Sequence, residues 1–197
     1  MTLGKFAFSL LLVASLNWAN AAAQAAQIYT QMPPASVVSG GVRSHVLHRH
    51  DGHDQDVRGY DDFVLSSPST VSQLTWMGSP ADSKTHGFII TLYAAQTAPA
   101  KGPDLFRPLF TQFISGLPDH RPMNGDWFEF TTPLKKPIQL AAHTPYWISI
   151  VASRRDLSPW YWAHGLGGDG KSLQFFNEYR VLPAAGDRAF SFADSPR

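Results

Sequence analysis

The string Gly165-Leu166-Gly167-Gly168-Asp169-Gly170-Lys171-Ser172 satisfies the phosphate-loop pattern G-x-x-x-x-G-K-S letter for letter. Such a loop grips phosphate with glycine amides that lead from a buried parallel strand into a helix N-terminus. Here Leu173-Gln174-Phe175-Phe176 follows and reads as a strand, and Asp169 would set a negative charge beside a triphosphate. The segment is expected to be a glycine connection, and no nucleotide is expected as a partner.

A second group, His48-Arg49-His50-Asp51-Gly52-His53-Asp54-Gln55-Asp56, places three imidazoles within six residues. If a strand beginning at Ser44 runs this far, His48 and His50 project from one face. Together with His53 they could bind zinc or copper as neutral imidazoles. Asp51, Asp54 and Asp56 could instead supply oxygen ligands to calcium, although their spacing matches no defined calcium loop. The metal candidates are thus His48, His50, His53, Asp54 and Asp56, set against the plainer alternative of a solvated polar loop. No other cofactor is indicated.

Asp61 and Asp62 invite an acid/base reading, but adjacent strand residues face opposite ways, so the pair is not expected to share a proton. One carboxylate is expected to cap a turn or meet a basic neighbour while Phe63 and Leu65 are buried. No G-x-S-x-G elbow and no H-E-x-x-H pattern occurs.

The aromatic residues offer a different chemistry, the stacking of flat rings on sugars. Trp160 and Trp162 share one strand face with Tyr161 on the other, and Trp127 precedes the alternating Phe128-Glu129-Phe130. Trp76, Trp147 and Trp162 are expected in the core. Trp160, beside Pro159 at a strand entrance, is expected to be the exposed one, which makes Trp160, Trp127 and Tyr161 the ligand-binding candidates.

These residues must be positioned by strands. Short alternating runs, broken by Gly, Pro, Asp and Ser, recur without any sustained 3.6-residue periodicity. The clearest are Gly87 to Ala94 and Pro145 to Ala152, each bulky on both faces. Weaker runs are Ser44 to His48, Tyr60 to Leu65, Thr70 to Met77, Leu109 to Ile114, Trp127 to Thr131, Ile138 to Ala141, Trp160 to Ala163, Leu173 to Asn177 and Arg188 to Phe192. The fold expected is all-β, an antiparallel two-sheet sandwich of jelly-roll-like topology.

Ahead of it, Lys5, the apolar run Phe6 to Leu16 and the small residues Ala19 to Ala26 follow the order of a secretory signal peptide. The expected organisation is a signal over 1–25, then one domain over 26–197 with a loose N-terminal arm to about 42. The protein is expected to be secreted or periplasmic, without stable membrane insertion once the signal is removed. The chain has no cysteine, so stability must come from packing, for which thirteen Phe and six Trp provide material. Without Lys5, basic and acidic residues balance, which argues against nucleic acid as a partner.

Several motifs together resemble bacterial exported sandwich domains found ahead of PEP-CTERM-type sorting tails. They are Tyr60-Asp61-Asp62-Phe63-Val64-Leu65, Leu74-Thr75-Trp76-Met77-Gly78, Gly87 to Tyr93, Thr144 to Ile150, Trp160-Tyr161-Trp162 and Asp187-Arg188-Ala189-Phe190. The resemblance implies a fold and an extracytoplasmic address, and it transfers no catalytic residue and no ligand. No sorting tail follows the last strand motif, so surface anchoring is not expected.

The function expected is a non-catalytic module binding carbohydrate or another surface polymer. The alternatives are a structural or adhesive envelope domain and, last, a hydrolase or lyase whose site the sequence does not display.

Overall fold

Alternation of buried and exposed residues decides most of this molecule, because a strand shows successive side chains to opposite faces. The computed structural model describes residues 25–47, 56–96, 102–156, 158–176 and 180–194. In chain order the strands are β1 (Gln27–Thr30), β2 (Gly41–Arg43), β3 (His45–Leu47), β4 (Val57–Val64) and β5 (Ser69–Gly78). Then come β6 (Thr85–Ala95), β7 (Pro103–Ser115), β8 (Asp119–Pro122), β9 (Phe128–Leu140) and β10 (Pro145–Arg154). The last are β11 (Tyr161–Ala163), β12 (Lys171–Phe176), β13 (Arg180–Ala185) and β14 (Phe190–Ala193). A single 3-10 turn at Ala35–Val37 is the one helical element among the described residues.

Two seven-stranded sheets result, as expected of an all-β sandwich. In the first, β5 is central: β9 and then β8 flank one edge, while β14 and β11 share the other and are followed by β1 and β2. The second runs β13-β12-β4-β3-β10-β6-β7. One pairing departs from the antiparallel expectation: β3 lies parallel to β10. It fits there because β4 pairs with β10 only over Asp61 to Val64 and then diverges.

Between the sheets lies a core rich in aromatic rings. Trp76 stacks on Phe130 at 5.5 Å, Phe88 meets Trp160 edge-on at 5.2 Å, and Phe63 packs on Phe190 and Phe192. Trp76 and Trp162 are fully buried here, as expected. Trp147 is buried too, but in a separate cluster with Tyr60 and Tyr93 on the outer side of the second sheet.

The segment expected to be a loose arm is built into the first sheet at both ends. β1 pairs with β14 and β2 with β11. Pro33, Pro34 and Gly40 lie in the connection and Gly41 opens β2, which is why the pattern gives no strand signal. From β2 the chain crosses to β3 in the opposite sheet at Ser44.

Candidate functional site

Trp160 is not the exposed ring. It shares a face with Trp162, and that face is the core: both are fully buried. The Trp160 indole Nε1 donates to the Ser79 carbonyl at 2.9 Å, which satisfies the only polar atom of the buried ring. Proline at position 159 marks where the strand enters the sheet and does not expose its neighbour.

The same alternation turns Tyr161 outward, and there it meets the other candidate. Trp127 and Tyr161 line one groove of about 520 Å³, together with Val38, Gly40, Gly41, Ser79 and the turn Asn124–Asp126. Both rings are partly exposed. Trp127 is held from below because residue 41 is glycine: a Cβ there would lie 3.1 Å from its Cη2 atom. Trp127, Met123 and Val38 all pack against the buried Met77, Ala163 and Ala189, and the Met123 N–H donates to the Trp127 carbonyl at 2.8 Å. The Tyr161 backbone is clamped to Ser79 by two bonds, the Tyr161 N–H donating to Ser79 Oγ and the Ser79 N–H to the Tyr161 carbonyl, both at 2.9 Å. Asn124, Gly125 and Asp126 form an exposed turn at the rim, with Gly125 at φ 68°. The groove thus offers two anchored rings, one carboxylate, one side-chain amide and the hydroxyls of Ser79 and Tyr161.

The phosphate-loop string is a connection, followed by strand β12 as expected. Its amides are also committed. The Gly168 and Gly170 N–H groups donate to the two oxygens of Asp187 at 2.9 and 2.7 Å, so a carboxylate of the chain itself occupies the place an anion would take. A Cβ at residue 168 would lie 2.6 Å from that carboxylate.

Beneath this loop lies the most unusual electrostatic feature, which the aspartate pair only partly announces. Asp61 and Asp62 do face opposite ways. Asp61 joins Phe63 and Leu65 in the interior, and its Oδ2 accepts the Arg188 backbone N–H at 2.6 Å. The Gln31 amide donates to the same oxygen at 2.7 Å and to the Arg188 carbonyl at 2.9 Å, and accepts from the Tyr29 hydroxyl at 2.7 Å. Burial pushes the Asp61 carboxyl up to about 8, with the Arg188 N–H and charge opposing and Asp187 reinforcing. Burial also holds the Arg188 guanidinium down at about 10. One of its nitrogens contacts His164 Nδ1 at 2.9 Å, and burial together with the Arg188 charge keeps that imidazole below its usual value.

Perturbed groups gathered in this way are a common mark of catalysis. Asp61 and Arg188 are buried and His164 is partly exposed, and none of the three lines the groove at Trp127, the cavity beside Tyr60, or the opening near Ile28 and Gln139. The network joins β1, β4 and the turn before β14.

Of the metal candidates, His48, His50, His53 and Asp54 lie outside the described residues. Asp56 is buried; its Oδ1 accepts the Leu47 N–H at 3.1 Å, and its Oδ2 lies 3.9 Å from Arg58. Among the described residues no three His, Asp or Glu side chains converge on a point. No family model, no curated protein and no solved structure matches this chain.

Proposed function

We propose that the protein is an exported, non-catalytic module that binds carbohydrate in the groove between Trp127 and Tyr161. One observation carries the reading: two outward aromatic rings, more than thirty residues apart in sequence, line one groove whose rim supplies a carboxylate, an amide and a hydroxyl. Sugar rings present apolar C–H faces edged by hydroxyls, and such a groove serves both, the rings by stacking and the polar rim by hydrogen bonds. The openness of the site suits a polymer passing along the surface better than a small molecule enclosed on all sides. Export rests on the order of Lys5, the apolar run and the alanine-rich stretch.

A glycan and polysaccharide screen of the mature domain, followed by calorimetric titration of the best hit, tests this. Tyr161→Ala and Asp126→Ala, both at partly or fully exposed positions, should each weaken binding about ten-fold, the equivalent of about 1.4 kcal/mol. Trp127→Ala should abolish it. A glycan bound equally well by all three variants would overturn the assignment.

A further inference from the structure

The outer side of the second sheet holds a second cavity of different chemistry, of about 370 Å³, within the roughly 300–1,000 Å³ range of small-molecule sites. Its walls are Tyr60 of β4, Tyr93 of β6, Phe175 of β12 and Leu105 of β7. The rings stand tilted to each other, Tyr60 at 4.7 Å from Phe175 and 5.8 Å from Tyr93. In this arrangement they line the space without filling it. Phe106 stands at the lip and is 94% exposed, so a large apolar side chain borders the ring-lined cavity without closing it.

At one edge sit the buried Asp56 and Arg58, the latter with its side chain 29% exposed. Its contact with Asp56 Oδ2 is 3.9 Å, beyond hydrogen-bond length, and Asp56 Oδ1 is already taken by the Leu47 N–H. Among the described residues Asp56 is its one ionic partner, so the guanidinium offers a guest its planar fork, which matches a carboxylate and stacks on rings. Arg107, the neighbouring cation of β7, is by contrast paired with Asp104 at 3.2 Å.

We propose that this cavity binds a small ligand with a flat apolar body and a carboxylate, the body between Tyr60, Phe175 and Phe106 and the carboxylate on Arg58. A sugar would set hydroxyl groups against Leu105 and Phe175, so the guest differs in class from that of the Trp127 groove.

The test uses 2-naphthoate as the probe, followed by its own fluorescence, with 2-naphthamide as the neutral isostere and a naphthylmethylammonium salt as the cation. Naphthoate should bind at least ten-fold more tightly than the amide, and the cation more weakly still. Arg58→Gln should erase the preference for naphthoate over the amide, Arg58→Lys should keep part of it, and Phe106→Ala, at an exposed position, should weaken all three by at least five-fold. Trp127→Ala should leave naphthoate binding unchanged, which separates this site from the carbohydrate groove. Equal affinity for acid and amide, tighter binding of the cation, or loss of naphthoate binding in Trp127→Ala would each overturn the proposal.

Discussion

Ser44 shows how one small side chain can hold a corner of the molecule. It is fully buried where the chain leaves the first sheet for the second. Its backbone bonds to both, the N–H donating to Trp160 and the carbonyl accepting from Ala152, each at 3.0 Å. Its hydroxyl donates to the Ile150 carbonyl at 2.5 Å and accepts the Gly59 N–H at 3.0 Å. That hydroxyl stands in for the backbone pairing which β4 and β10 lose as they diverge, and Ser149 Oγ repeats the device on the Gly59 carbonyl at 2.8 Å. Ser44→Ala would leave a buried N–H without a partner, which costs about 1–3 kcal/mol. Urea unfolding should show a loss of that size. A change under about 0.5 kcal/mol, the usual range for a surface substitution, would show that the backbone closes the gap without the hydroxyl.

At the scale of elements, strands with bulk on both faces were legible, and strands defined only by their partners were not. β6 and β10 announce themselves because Phe88, Ile90 and Leu92 alternate with Ile89, Thr91 and Tyr93, and Tyr146, Ile148 and Ile150 with Trp147 and Val151. β9 was legible only as two pieces, because Pro133 and Pro137 interrupt its pattern; both are tolerated as residues of one strand whose partner β5 shifts register nearby. β1, β2, β8 and β13 carry no alternating signal of their own, and β8 is exposed throughout. The same logic explains the site. Tyr161 facing away from Trp160 and Trp162 follows from alternation alone, whereas which of the two faces is the core follows from the sheet around it. The cavity at Tyr60 was not legible, because its residues come from four strands far apart in sequence. β1 gives the sharpest element-scale prediction. Its Tyr29 ring lies 5.6 Å from both Phe63 and Phe190 and 6.5 Å from Phe192. A chain starting at Gln31 should therefore be less stable than one starting at Ala25 by about 3 kcal/mol or more, the scale of losing one large core aromatic. Equal melting temperatures would restore the picture of a loose arm.

For the molecule as a whole, the buried ionisable groups set the pH range in which the fold is most stable. Asp61 keeps its proton in the folded state up to about 8, while in the unfolded chain it ionises near its ordinary value of 3.8. Across that interval the folded state binds one proton more than the unfolded state. Stability from this group is complete below about 4 and is lost as pH rises towards 8. His45 and His164 act in the opposite sense. Burial holds both below 6.5, so as pH falls through 6.5 the unfolded chain takes up protons that the folded state refuses, and stability drops. Asp62, also raised by burial, acts in the same sense as Asp61, and above 6.5 Asp61 acts without the histidines. The melting temperature should therefore decline between pH 6.5 and pH 8. Asp61→Asn preserves the acceptor for the Arg188 N–H and Gln31 and removes the titration, so it should flatten the alkaline limb and leave the acid limb in place. A decline between pH 6.5 and 8 that survives in Asp61→Asn would mean that some other group carries the alkaline dependence and that Asp61 is already ionised in the folded protein.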